Sequence, residues 1–534
     1  MAKKAPDDND LKKAQGGAFS PESGTVPYVT EPGRATTAAG KAGKAGKRTK
    51  ERRPDSHAKQ LMDLAEQHGA ELFTSAGDAF IAVDLGTRRA ILRIETPDFS
   101  KLLRRWLYEA QQTSARKEAV AEAQATLAAR ARYSEVQREV CLRTGKAGGA
   151  VYVDLGREDG QAVEVTPHGW RVIPRPPVYF LRPPGMLPFP LPVREGKLAE
   201  LFDFINVQEE SRALLLAWLG FSLCPDGPFP LLAVHGEQGS GKTTACRMLS
   251  QLIDPHTAAL RSMPRDDRTL MISTRHLWLL GFDNLSALPP WLSDLLCCIA
   301  TGSAYTARAL YTDDSEVVFQ ARRPILLNGI EEVATRSDLL DRCIVLSLQP
   351  IPEERRRSEV ELWEGFQGAR PRLLGALLDV LVCALRERPA VRLPRAPRMV
   401  DFATWATAAE SALGLRPGGF LDAYFANIRA SGDLPLEASA IAGPLQVLLA
   451  KTSPTLDGEG PRWTGTPTEL LTALRAGASE EDKRQSNWPK NAQVLSGELK
   501  RLAPNFRQKG IHIEHGRQGT TRRTRVITIR REPC

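Results

Sequence analysis

The middle of the chain carries residue types at spacings that suit a phosphate site. In PLLAVHGEQGSGKTT, the residues Gly236, Gly241, Lys242 and Thr243 satisfy the pattern G-x-x-x-x-G-K-[ST]. The glycines let backbone amides curl around phosphate oxygens with no Cβ in the way. The segment Gly236, Glu237, Gln238, Gly239, Ser240, Gly241, Lys242, Thr243 and Thr244 is therefore expected to cradle a triphosphate such as ATP. Lys242 would reach the β and γ phosphates, and Thr243 would offer its hydroxyl to Mg2+. The next candidate lies in HLWLLGFDNLS, where an apolar run ends in Asp283. A carboxylate there can hold the magnesium directly or through Thr243. The following residue is Asn284, where a glutamate would be able to take a proton from water. An asparagine cannot, although it can orient water by hydrogen bonding. Glu237, inside the loop, is another acid that could serve.

These side chains need strands to aim them. LLAVHG reads as a strand before the glycine loop, and the segment after it as a helix whose positive end faces the anion. LWLLGF, RRPILLNGI and CIVLSL read as further strands, ending near Asp283, at Asn328 and near Leu348. Arg342 follows SDLLDR and precedes the last of them, between a helix end and an edge strand. That position suits an arginine finger reaching a neighbouring subunit, worth about 10³–10⁵ in rate. The alternative is a surface ion pair with Asp338 or Asp341, with Arg336 as the reserve finger.

The 534 residues suggest roughly three or four domains. Net charge is +9, a modest excess, so the placement of basic residues matters more than their number. The eight cysteines are scattered with no C-x-x-C pair and no zinc spacing, as expected of free thiols in a reducing cytoplasm. No apolar run reaches the roughly 18 residues of a membrane span. Leu214–Cys224 and Leu373–Leu385 read as core helices. The N-terminus has no apolar signal segment, which gives a cytoplasmic expectation.

Residues 1–54 are rich in Gly, Ala, Pro and Lys and are expected to form a disordered basic tail. Residues 55–194 read as an α/β domain of no evident role. Two of its segments, VDLGTRRAILRIETPDF and VDLGREDGQAVEVTPHGW, share a strand, glycine turn, strand and Thr-Pro exit. Asp84 and Asp154 at their strand ends could be taken for a metal pair, but no clustered carboxylates accompany them. PRPPVYFLRPPGMLPFPLP reads as a stiff connector. At the other end, a helix in TPTELLTALRA, a second with Val494, Leu495, Leu499 and Leu502 at core spacing, and two alternating strands make a winged helix-turn-helix pattern. From Glu498 to Arg531 there are ten Lys/Arg and two Glu. Lys500, Arg501, Arg522, Arg523 and Arg525 are the expected phosphate contacts, with a solvated basic face as the alternative. Trp463 and Trp488 are expected to pack the small core.

One further segment is distinctive: CCIATGSAYTARALYTDDSEVVFQARRPILLNGI. Its Thr301-Gly302, Arg308, Leu310-Tyr311, hairpin turning at Thr312–Ser315 and strand tipped by Asn328 resemble superfamily 3 helicases, which are AAA+ ATPases. From about residue 57 the chain resembles ATP-binding, primase-helicase-like proteins of phages and integrated elements. The resemblance implies an α/β fold with a P-loop AAA+ ATPase core at 195–395, following the N-terminal α/β domain. A helical linker at 396–462 and the winged helix at 463–534 would complete the chain. It implies an oligomeric ring, a hexamer, that hydrolyses ATP with Mg2+ at subunit junctions while moving on DNA. Single-stranded DNA would thread the pore and duplex would meet the winged helix. Asn328 would sense the γ-phosphate, and Arg308, Tyr311, Arg322 or Arg323 would grip DNA. Two departures qualify this. The hairpin tip carries Asp313 and Asp314, which repel phosphate, and Asn284 replaces an acid. The rival expectation is a nucleotide-gated DNA-binding or loader protein without unwinding. No set of polymerising carboxylates marks the N-terminal domain, so primase activity is not expected.

Overall fold

A computed structural model describes residues 56–285, 288–308, 316–319, 321–329, 337–437, 439–452, 460–485, 487–518 and 524–532. The architecture is mixed α/β, with several separate sheets. The tail expected at 1–54, the hairpin tip with Tyr311, Asp313 and Asp314, the reserve Arg336, and Arg522 and Arg523 lie outside the described residues.

The first sheet is antiparallel, in the order Glu71–Ser75, Asp78–Asp84, Arg89–Arg93. Its central strand, DAFIAVD, is apolar without interruption because both faces are covered. Ala79, Ile81 and Val83 pack beneath the helices His57–Gln67, Pro97–Gln111 and Lys117–Tyr133. Phe80 and Ala82, on the opposite face, join the main core of the molecule. The second sheet is a meander of Thr144–Ala147, Ala150–Asp154, Ala162–Thr166 and Gly169–Ile173. Val151, Val153, Val163 and Val165 alternate inward to that same main core. Trp170 Nε1 donates to Asp379 Oδ1 at 2.8 Å, tying the meander to the long helix Glu359–Glu387. The two look-alike segments therefore part at their exits. Thr96-Pro97 starts a helix, with Thr96 at the N-cap and Pro97 in the first turn. Thr166-Pro167 turns straight into the next strand.

Asp84 and Asp154 make the same local turn, accepting from the amides of Gly86 and Gly156 at 2.8 and 3.1 Å. Each then has its own cation, Arg175 for Asp84 and Arg182 for Asp154. They are separate ion pairs and not two ligands of one metal.

The central sheet is parallel throughout, in the order Leu280–Leu285, Ile325–Gly329, Leu231–Gly236, Cys343–Leu348. Its strands are continuous apolar runs, as a sheet covered on both faces requires. Leu232, Val234, Leu326, Ile344 and Leu346 face the main core, which includes the helices Glu209–Phe221 and Lys242–Ile253. Leu231, Ala233, Phe282, Ile325, Leu327 and Val345 face a second core with the helices Asp267–Thr274 and Pro290–Thr301. The apolar runs at Leu214–Cys224 and Leu373–Leu385 lie in the main core, the first helical only as far as Phe221 and the second within the helix Glu359–Glu387. Among the described residues, no helix is long and apolar enough to cross a membrane.

The N-terminal sheets are pinned to this centre by one buried guanidinium. Arg143 is fully buried and donates from Nε to Asp254 Oδ1 at 2.9 Å. Its other nitrogens reach the carbonyls of Asp154, Leu187 and Pro255. Asp254 closes the helix Lys242–Ile253, and its Oδ2 accepts from the amides of Trp278 and Leu279 just before the Asp283 strand.

Residues from Leu436 onward build a separate core. The helices Ala442–Ala450, Pro467–Gly477 and Ala492–Gln508 pack on a three-stranded antiparallel sheet, ordered Arg462–Gly465, Thr524–Arg531, Ile511–Gln518. The sheet has one strand more than the two expected, contributed by Arg462–Gly465. Trp488 is buried here and Trp463 partly so. Val494 departs from its expected place: it is 49% exposed, on the outer face, while Leu495, Leu499 and Leu502 are buried. The helix Gly419–Glu437 bridges to this unit. Asn505 Nδ2 donates to the Gly432 carbonyl at 3.0 Å, and Lys509 pairs with Asp433 at 2.8 Å.

Candidate nucleotide site

The glycine loop is shaped by what surrounds it. At Gly236 a Cβ would run into the Leu348 carbonyl, so the close approach of the neighbouring strand requires glycine there. Gly239 and Gly241 have φ of +85° and +75°, the left-handed region that glycine enters without penalty. Ser240 Oγ donates to the Glu237 carbonyl at 2.9 Å and closes the turn. Lys242 Nζ folds back onto the carbonyls of Gly236 and Glu237 at 2.6 and 2.7 Å. Ile351, beyond the last strand, rests on Gly241.

The parallel register brings the polar side chains together. Val234 of the loop strand is level with Asn328, whose strand lies between those of the loop and of Asp283. Thr243 Oγ1 donates to Asp283 Oδ1 at 3.2 Å. Asn328 Nδ2 donates to Thr243 Oγ1 at 3.1 Å and also to Asp283 Oδ1. Asn328 is only 3% exposed, and its Oδ1 is buried with no hydrogen-bond partner. A buried unsatisfied carbonyl costs about 1–3 kcal/mol, so this amide end is primed for a donor such as water. Thr243, Asp283 and Asn328 thus form one cluster at the C-terminal ends of adjacent strands.

Asn284 stands beside this cluster in the left-handed conformation, with φ +56°. Its amide donates to Asp283 Oδ1 at 2.9 Å. The pairing with the Asn328 strand shifts register between Phe282 and Leu285, which marks a bulge. Bulges of this kind re-aim side chains next to functional sites. Asparagine tolerates the left-handed region better than glutamate, so the backbone itself favours Asn at this position.

The thiol under the loop helix is inert. Cys246 is fully buried, and burial, followed by the charge of Asp283, pushes its pKa upward. Among the described residues, no group of three or more His, Cys, Asp or Glu is placed to hold a metal. Magnesium at this site would therefore take few protein ligands. The touching Thr243 hydroxyl and Asp283 carboxylate are the hard oxygens it prefers, with phosphates and waters completing the shell.

Other expected site residues have different surroundings. Arg342 Nη1 donates to the Asp338 carbonyl at 2.6 Å, and its own carbonyl accepts from Leu231 N at the start of the loop strand. Asp341 pairs with Arg398. Arg308 ends the strand Tyr305–Arg308, which pairs antiparallel with Glu316–Phe319.

Arg322 and Arg323, expected to grip DNA, both donate to backbone carbonyls within the fold. Arg323 Nε donates to the carbonyls of Thr274 and Leu277 at 3.1 Å, and its guanidinium lies over the Trp278 ring. Burial lowers its pKa to about 10. Arg322 Nη1 donates to the Gly227 carbonyl at 3.1 Å. Both brace the base of the Asn328 strand. In the C-terminal unit, by contrast, Lys500, Arg501 and Arg525 are exposed.

One contact had no sequence signal. Asn427, within the helix Gly419–Glu437, donates from Nδ2 to the Val345 carbonyl at 2.7 Å and accepts from Val345 N at 3.1 Å. It clamps the outer edge of the central parallel sheet. Only the tertiary approach of that helix makes the residue significant.

Residues 196–433 match the family model described as the actinomycete integrative conjugative element replication protein. Residues 446–534 match the model of the C-terminal domain of that RepA protein. Along both segments, the chain is thus similar to a replication protein of a mobile element. No curated protein matches. Among solved structures, the A form of the apo C-terminal region of NrS-1 is similar at 12% identity and a TM-score of 0.40, over 89% of this chain and 99% of that one. JCV helicase bound to a thiazolopyridine-containing acetamide is similar at 16% identity and a TM-score of 0.20, over 44% of this chain and 72% of that one.

Proposed function

We propose that the chain is an ATP- and magnesium-dependent DNA helicase or translocase acting in replication of a mobile element, as an oligomeric ring. The observation that carries this reading is the convergence of Thr243, Asp283 and Asn328 beside the glycine loop. Lys242 would exchange its two loop carbonyls for phosphate oxygens, which offer it full negative charge. Thr243 and Asp283 would hold magnesium, which neutralises phosphate charge when bound. Asn328 and Asn284 would orient the attacking water, and Arg342 would act on the nucleotide of a neighbouring subunit. Positioning and electrostatics can supply most of the acceleration in such chemistry, so a missing general base slows the site without silencing it.

The C-terminal unit supports a winged-helix reading, with its hairpin Ile511–Gln518 and Thr524–Arg531 as the wing. Lys500, Arg501 and Arg525 would contact duplex phosphates. Strand displacement tests the whole proposal. The wild type should unwind a forked DNA duplex with ATP and Mg2+, and Lys242→Ala should lose at least about 100-fold in hydrolysis together with unwinding. DNA binding with no unwinding on any substrate would favour the second reading, a nucleotide-gated loader or DNA-binding protein. Asn284 in its bulge is the observation on that side.

A further inference from the structure

We infer that the outward stripe of the helix Ala492–Gln508 reads base sequence in duplex DNA, through Gln493, Val494 and Gly497. The inference rests on the duplex-binding reading above and adds what that unit distinguishes.

Gly497 is exposed in the middle of a regular helix, and a Cβ added there would meet nothing within 4 Å. The fold has no steric use for glycine at this point, and glycine weakens a helix relative to alanine. The bare backbone there leaves room for a partner to approach closely. Val494, one turn earlier on the same face, is a half-exposed apolar side chain that nothing covers. Gln493 beside it is exposed. Their first turn is held rigidly, because the Asn491 side chain accepts from the amides of both, at 3.0 and 2.9 Å.

Charge selects the partner. Lys500, Arg501 and Arg507 follow on the exposed side of the helix. The helix's one carboxylate, Glu498, turns inward and accepts from Ser439 Oγ at 2.7 Å. A polyanion fits this surface, and a major groove admits a helix. There, glutamine pairs with the two hydrogen-bonding positions of adenine and an apolar side chain packs on the thymine methyl. The expected ligand is a duplex with A·T pairs facing the first turn, gripped through its phosphates by the cations that follow.

The test is selection of duplexes from a randomised pool by the full chain, followed by binding to the selected duplex and a shuffled one. An enriched motif containing A·T pairs is expected, with Gln493→Ala relaxing the base preference at one position. Gly497→Ala should hold or raise the melting temperature while weakening binding to the selected duplex about tenfold. Lys500→Ala should weaken both duplexes alike. Binding with no enriched motif overturns the inference, as does a Gly497→Ala chain that keeps its full preference. A wild type that binds no duplex at low salt removes the underlying duplex reading as well, and is distinguishable from binding without preference.

Discussion

Arginines in the interior and in the C-terminal unit do opposite work. Arg143 and Arg370 are buried and Arg323 partly so, and all three donate to backbone carbonyls of the fold. Burial lowers the pKa of Arg370 to about 10, as it does for Arg323, with neighbouring Arg143 adding to the effect at Arg370. Arg501, Arg507, Arg517 and Arg525 are exposed. The same residue type is a fastener in one region and a field in the other. A count of basic residues along the chain cannot separate the two, because the deciding quantity is which carbonyls come within reach after folding.

The contrast can be broken by substitution, with effects on unfolding free energy that should fall in a fixed order. Arg143→Ala strands Asp254 as a buried charge and should cost about 3–5 kcal/mol in urea unfolding. A loss under about 1 kcal/mol would show that the pairing is not a fastener. Arg323→Ala leaves the Thr274 and Leu277 carbonyls short of a donor and should cost about 1–3 kcal/mol. It should leave the salt dependence of DNA binding unchanged; an altered slope would return Arg323 to the DNA surface.

Asn284→Glu places a poorly suited residue in the left-handed bulge and should cost about 1 kcal/mol, whereas Asn284→Gly should be nearly neutral. Equal stability of the two variants would show that the bulge does not select the residue. Arg525→Ala should change stability by less than about 0.5 kcal/mol. It should instead reduce the slope of log affinity against log salt by about 1. A stability loss with an unchanged slope would make Arg525 a fastener too.

What could be read in advance follows the same division. The glycine loop and Asp283 were legible because their chemistry depends on local spacing and on strands that are apolar throughout. Asn328 was legible as a strand tip, but its contact with Thr243 needed the strand order, which no local pattern supplies. The alternation of Leu495, Leu499 and Leu502 marked the inner face of the last long helix, whereas Val494 looked equally apolar and points outward. Helical spacing allows neighbouring positions to share a stripe, and the packing of the helix Gly419–Glu437 and the sheet chose between them. Arg322 and Arg323 flank a hairpin in sequence, but their contacts with the Gly227, Thr274 and Leu277 carbonyls depend on the tertiary fold and leave no local signal. Asn427 and Arg143 were silent, since Val345 lies 82 residues from Asn427 and Asp254 lies 111 residues from Arg143.

The clamp of Asn427 on Val345 has a consequence for how copies of this molecule can meet. A bare outer strand offers amides and carbonyls to any extended segment that drifts alongside. Here both groups of Val345 are already taken by a side chain of the same molecule, midway along Cys343–Leu348. A neighbour cannot extend the sheet across that point. Any extended segment that meets this edge must therefore do so through side chains at Val345, not by adding a strand there.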